Sequence, residues 1–72
     1  MGNNFLYKKI GWKILKIREK KKISQEALSF STGIDRTYLC RIEKGDANPT
    51  IKIIERIASA LKVKLYLLTK SS

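Results

Sequence analysis

Between Ser24 and Gly45 the chain reads SQEALSFSTGIDRTYLCRIEKG, a stretch with two helix starts and two helix stops. Ser24 is a good N-cap, its hydroxyl able to accept an amide hydrogen bond from the first turn, which Gln25 and Glu26 open. Ala27, Leu28, Phe30 and Ser31 continue that helix to Thr32. Gly33 falls where the helix must end, at a position suited to a left-handed backbone that glycine adopts cheaply. Ile34 anchors the turn to the core, Asp35 caps a second short helix, and Gly45 stops it. Leu28, Ile34, Leu39 and Ile42 are the apolar points that hold the two helices at a fixed angle.

This is the layout of a helix-turn-helix, whose second helix is presented for the DNA major groove. Ser24-Gln25-Glu26-x-Leu28, then Gly33-Ile34, then Tyr38-Leu39 and Ile42-Glu43-x-Gly45, resembles the Cro/phage-repressor type, the lambda-repressor-like family. Downstream, Asn48-Pro49-Thr50 and Ile57-Ala58-Ser59-Ala60-Leu61 match the helix that follows in that family, so the resemblance runs from Ile10 to Leu61. It implies an all-α fold: a compact four- to five-helix DNA-binding domain over residues 1–72, with a short C-terminal strand or helix. The run Asp35-Arg36-Thr37-Tyr38 and the lysine-rich first helix are further similar to the small controller proteins of restriction-modification systems.

With Leu39 and Ile42 facing inward, Arg36, Thr37 and Arg41 lie on the outward, N-terminal side of the second of these helices. Arginine forks match O6 and N7 of guanine, and the methyl and hydroxyl of Thr37 suit thymine or adenine edges. These positions match those the family uses for base contacts. By the same resemblance Gln25 is a phosphate contact, against a solvated helix start as the alternative. Tyr38 and Lys44 are expected on the sugar-phosphate backbone. Asn48 and Thr50 join them, with loop geometry and helix capping as the plainer roles. Lys22 closes the triplet Lys20-Lys21-Lys22, which suits both a helix C-terminus and a phosphate. Asp35 is a cap first and could also orient Arg36. Glu43 is expected in a salt bridge, Cys40 as a small inert side chain rather than a redox switch, and Phe30 partly buried near Tyr38.

A chain of 72 residues is one domain, small enough to gain from oligomerising. One cysteine and no histidine exclude an internal disulfide, a zinc-finger spacing and an imidazole base. No cofactor or metal is expected, and no catalytic constellation can be assembled, so the chain is not expected to be an enzyme. Nothing resembles a signal peptide or a membrane span, which points to the cytoplasm and away from membranes. Sixteen Lys and Arg against six acids give a net charge of +10, for which nucleic acid is the commonest partner and a lysine-rich solvated surface the alternative.

Upstream, Asn3 or Asn4 can cap a first helix running to about Lys21. Leu6, Ile10, Ile14 and Ile17 form its apolar stripe, which Gly11 interrupts at a cost of about 1 kcal/mol relative to alanine. Phe5, Trp12 and Leu15 either widen the core face or form part of a subunit contact. Lys9, Lys13, Lys16 and Lys20 line an opposite face. Downstream, Pro49 keeps Asn48 out of helical geometry and Thr50 caps another helix with Ile51, Ile54, Ile57, Ala58 and Leu61 as its core stripe. Ile53 is an apolar residue where the family usually has a polar one. In the tail, residues 63–72, Val63, Leu65 and Leu67 alternate with Lys64 and Tyr66, which tips the expectation to a strand paired with a two-fold mate. Ile53, Val63, Leu65, Tyr66 and Leu67 are the expected dimer interface.

The expected activity is therefore that of a homodimeric regulator bound to a roughly palindromic double-stranded operator. The two reading helices would enter successive major grooves ~34 Å apart. An RNA polymerase contact would add to this if the protein activates; repression and activation are both open. A mobile-element repressor, an antitoxin, and a protein- or RNA-binding module on the same fold are the alternatives.

Overall fold

The computed structural model describes residues 2–70, and they form five helices: α1 (Gly2–Lys20), α2 (Gln25–Thr32), α3 (Arg36–Lys44), α4 (Ile51–Leu61) and α5 (Leu65–Thr69). The expected punctuation is in place. The Ser24 hydroxyl accepts from Ala27 N at 2.9 Å, and Asp35 accepts from Thr37 N at 3.0 Å and Tyr38 N at 3.4 Å. Thr50 accepts from Ile53 N at 3.2 Å. Gly33 (φ 74°) and Gly45 (φ 79°) end α2 and α3 in left-handed geometry. α1 already includes residues 3 and 4, so neither asparagine occupies a capping position.

The turn between α2 and α3 is locked by side chains as well as by glycine. Thr32 is buried, its hydroxyl donating to Leu28 O at 2.7 Å and accepting from Ile34 N at 3.2 Å. Ser29 Oγ donates to the Ile34 carbonyl. Both polar groups sit beside buried apolar residues, and each bond removes the penalty of desolvating them. Ile34 therefore enters the core with Leu28, Leu39 and Ile42, joined by Ile10 and Ile14 of α1 and Ile54, Ile57, Ala58 and Leu61 of α4.

Within the tail Leu65–Thr69 form a helix, contrary to the strand that the alternation favoured; residues 71–72 lie outside the described residues. α4 ends at Lys62, left-handed at φ 60°, with the Val63 amide returning to Ala58 O at 3.0 Å. The chain then turns back, and α5 buries Leu68 completely among α1 and α4, with Val63 and Leu65 half-buried beside it. A helix satisfies its own backbone, whereas a single strand needs a partner edge. Lys64 opens α5 without a side-chain cap.

Two apolar positions depart from expectation. Phe30 is 91% exposed and stands clear of α3. Ile51 is exposed in the first turn of α4, where it lines an apolar hollow with Leu6, Tyr7, Pro49 and Ile54. Phe5 and Trp12 also lie outside the core, because Ile10 and Ile14 already fill the face of α1 turned towards it.

Candidate nucleic-acid interface

α3 is short and strongly amphipathic. Leu39, Ile42 and the Glu43 side chain are buried on one side, while Arg36, Thr37, Arg41 and Lys44 are exposed on the other. The exposed side forms an open cleft against the start of α2, lined by Gln25, Arg36, Thr37, Cys40, Arg41 and Lys44. Three of these carry positive charge and none is acidic. All three residues expected to read bases lie here, together with Gln25 and Lys44. The cleft joins forked donors, an amide and a hydroxyl on one exposed surface.

Glu43 might have spoiled that field, but it is turned inward. Arg18 of α1 grips it with both arms of the guanidinium, Nε to Oε2 at 2.7 Å and Nη2 to Oε1 at 3.0 Å. Gln25 Nε2 donates to Oε1 at 3.0 Å. The remaining Arg18 arm donates to Ile23 O at 2.9 Å, which fixes the α1–α2 connection. The hydrogen bond to Glu43 holds the Arg18 pKa above its ordinary value, against the opposing effect of burial. A paired, fully bonded charge at this depth is tolerable where a lone one is not. The same network orients Gln25 at the cleft's edge.

Arg41 is tethered too. Its Nη2 donates to Asp46 O at 2.8 Å, tying the side chain to the loop after α3 while leaving it exposed. The Asp35 carboxylate accepts from the Thr37 and Tyr38 amides, so its capping role is the one seen. Tyr38 is half-buried against the core, away from the cleft lining. Asn48 and Thr50 are exposed in the α3–α4 loop, and Lys22 is exposed and left-handed (φ 59°) at the end of α1. Among the expected dimer residues, Tyr66 and Leu67 are exposed, while Ile53, Val63 and Leu65 pack partly against the core.

Two residues escaped the sequence reading. Cys40, expected to be inert, is half-buried in the cleft wall because it follows Thr37 by one helical turn. Arg18 was missed as the partner of Glu43. The signal was available: Arg18 follows Ile14, and Glu43 follows Leu39, each by one turn on a buried face where a charge needs a partner. Among the described residues no group of His, Cys, Asp and Glu could hold a metal ion, and no helix is long and apolar enough to cross a membrane.

Residues 14–68 match the helix-turn-helix family. The chain is similar to the control protein C.BamHI of Bacillus amyloliquefaciens, at 42% identity over 55 residues, 75% of this chain and 68% of the relative. Its fold is similar to that of the restriction-modification controller C.AhdI from Aeromonas hydrophila, with a TM-score of 0.83 and 34% identity over 86% of this chain and 94% of the other. It is also similar to the controller C.Esp1396I, solved as a tetramer in complex with its natural 35 base-pair operator. There the TM-score is 0.79 and the identity 42%, over 83% of this chain and 79% of the other.

Proposed function

The chain belongs to the helix-turn-helix family, and from that premise we propose that it is a sequence-specific, DNA-binding transcriptional regulator acting as a homodimer. The observation that carries this reading is the acid-free cleft on α3, where Arg36, Thr37 and Arg41 stand exposed while the adjacent carboxylate of Glu43 is neutralised by Arg18. Arg36, Thr37 and Arg41 read bases in the major groove. Gln25 and Lys44 at the cleft's edges bind phosphates, with Lys22, Tyr38, Asn48 and Thr50 as flanking backbone contacts.

The similarity to C.BamHI and to two solved controllers supports a narrower role as the controller of a restriction-modification system, working in the cytoplasm. Dimerisation is assigned to α5 and its surroundings, with Tyr66 and Leu67 as the exposed apolar contribution and Ile53, Val63 and Leu65 at its margin. The tetramer seen for C.Esp1396I on its operator supports two such dimers side by side on DNA. Contact with RNA polymerase belongs to the same reading, for a regulator that activates.

Selection of bound sites from random duplex DNA, followed by footprinting, tests the function. A two-fold motif with half-sites about one helical turn apart is expected. Failure to enrich any motif would favour a protein- or RNA-binding module on this fold. For the interface, Tyr66→Ser with Leu67→Ser should shift sedimentation towards monomer while leaving Leu68 and the core intact. A dimer that survives both changes would place the interface elsewhere.

A further inference from the structure

One face of α1 takes no part in the core or in the reading cleft. Phe5, Lys9, Trp12, Lys16 and Lys20 share it, at helical steps of three and four residues, with Glu19 as the acid beside them. Phe5 is 66% and Trp12 56% exposed. The two rings are two turns apart, about 10 Å along the axis. Each has the lysine one turn on above it: Lys9 Nζ lies 5.7 Å from the Phe5 ring centre, and Lys16 Nζ lies 5.7 Å from that of Trp12. At the edge of this face Lys13 Nζ donates to Lys70 O at 2.6 Å, which brings the end of α5 and its charge alongside.

We propose that this face of α1 is a binding site for single-stranded nucleic acid, with Phe5 and Trp12 as stacking platforms and Lys9, Lys16 and Lys20 as phosphate contacts. The chemistry selects that class. A nucleotide strand supplies an anion and a flat π face in every repeat unit, and α1 offers a cation and a ring at each repeat of its own. A duplex offers the phosphates but keeps its bases stacked inside. A lipid surface demands buried aliphatic area, and the aliphatic stripe of α1, Ile10, Ile14 and Ile17, already packs in or against the core. Crowding of like charge around Lys13, whose pKa is lowered first by desolvation and then by Lys9 and Lys70, is relieved by an anion. The site uses none of the cleft residues, so it stands or fails independently of operator reading.

Trp12 is the chain's only tryptophan and reports directly on this face. Titration of the full chain with a single-stranded oligothymidylate of about twelve nucleotides should quench its fluorescence saturably. Phe5→Ala should weaken that binding about five- to a hundredfold. Trp12→Ala, followed by anisotropy of a labelled oligonucleotide, should do the same, and Trp12→Phe should lose less. Thermal melting and affinity for the selected operator duplex should be unchanged in all three. The proposal is overturned if the oligonucleotide leaves Trp12 unquenched, or if the alanine variants bind it as the parent does. It is equally overturned if phosphatidylglycerol vesicles shift Trp12 emission to the blue while the oligonucleotide has no effect.

Discussion

Gly11 of α1 lies directly against the main chain of Ile42 in α3: a methyl group on Gly11 would collide with the Ile42 carbonyl oxygen and stand 2.8 Å from that of Glu43. One turn earlier the crossing repeats. A Cβ on Gly45 would stand 2.7 Å from the Lys8 Cα. α1 therefore meets the C-terminal end of α3 backbone to backbone, and the two glycines set how closely.

Gly11→Ala should destabilise the protein although it improves helix propensity. Propensity alone predicts a gain of about 1 kcal/mol. The collision is with carbonyl groups inside α3, which cannot turn aside, so an over-packing cost of about 1–3 kcal/mol should outweigh that gain. Urea denaturation gives the sign. A more stable variant would mean that α1 and α3 are less closely packed than described.

Arg18→Met should be among the most damaging single changes, because it leaves Glu43 buried at 4% side-chain exposure without its cation. Breaking one side of such a pair costs about 3–5 kcal/mol. Pairing it with Glu43→Leu should recover much of the loss, since the lone charge is then gone. A double variant no better than the single one would show that the pair matters for more than charge balance.

The sequence made the reading head legible because its signals are local. Ser24, Gly33, Asp35, Gly45 and Thr50 act within one turn of themselves, and the structure places each as expected. What required the structure was long-range. By sequence Gly11 is a tolerated helix defect, because nothing near it in the chain reveals that α3 passes across it. Hydrophobicity points Phe30 inward and helical spacing points Ile51 inward, although whether a face is covered depends on which helix arrives there. The tail's alternation over Val63, Leu65 and Leu67 imitated a strand. Burial of Leu68, three residues after Leu65, decides for a helix. Cys40 shares a face with Thr37, a placement that helical phase alone could have given.

Arg36→Ala and Arg41→Ala should each reduce affinity for the selected operator by about 1–3 kcal/mol and relax base preference locally. Arg41 starts from a tether to Asp46 O. Its contribution should therefore include a rigid approach, and Arg41→Lys should not restore it. Competition binding against single-base operator variants measures both effects. Arginine variants that bind operator and random duplex as the parent does would remove α3 from the groove.

Alkylation of Cys40 with a bulky maleimide should abolish operator binding without unfolding the chain. The thiol is half-buried in the cleft wall among Arg36, Thr37 and Arg41, where an added group would occupy the space a base edge needs. Cys40→Ser treated in the same way should keep its affinity. Full operator binding by the alkylated parent would show that DNA does not enter this cleft.

Salt should move stability and DNA affinity in opposite directions. The free chain carries +10, and the Lys13 bond to the Lys70 carbonyl holds two of those charges close, with Lys9 near enough to lower the Lys13 pKa. Screening this repulsion should raise the melting temperature by a few degrees between low and moderate salt. Operator affinity should fall about a thousandfold or more between roughly 50 and 200 mM salt if six or more phosphates are neutralised. Lys13 adds a pH signature. Its pKa is lowered in the folded chain, by desolvation first and by Lys9 and Lys70 next, so the unfolded chain keeps this proton to higher pH. Wherever the unfolded state binds more protons, stability rises with pH. The gain from Lys13 should therefore appear as pH climbs through its lowered folded value and be complete above the ordinary value of 10.5. Urea melts of the parent and of Lys13→Met across that window isolate the effect. Equal slopes in the two proteins would refute it, since only the parent carries the displaced proton.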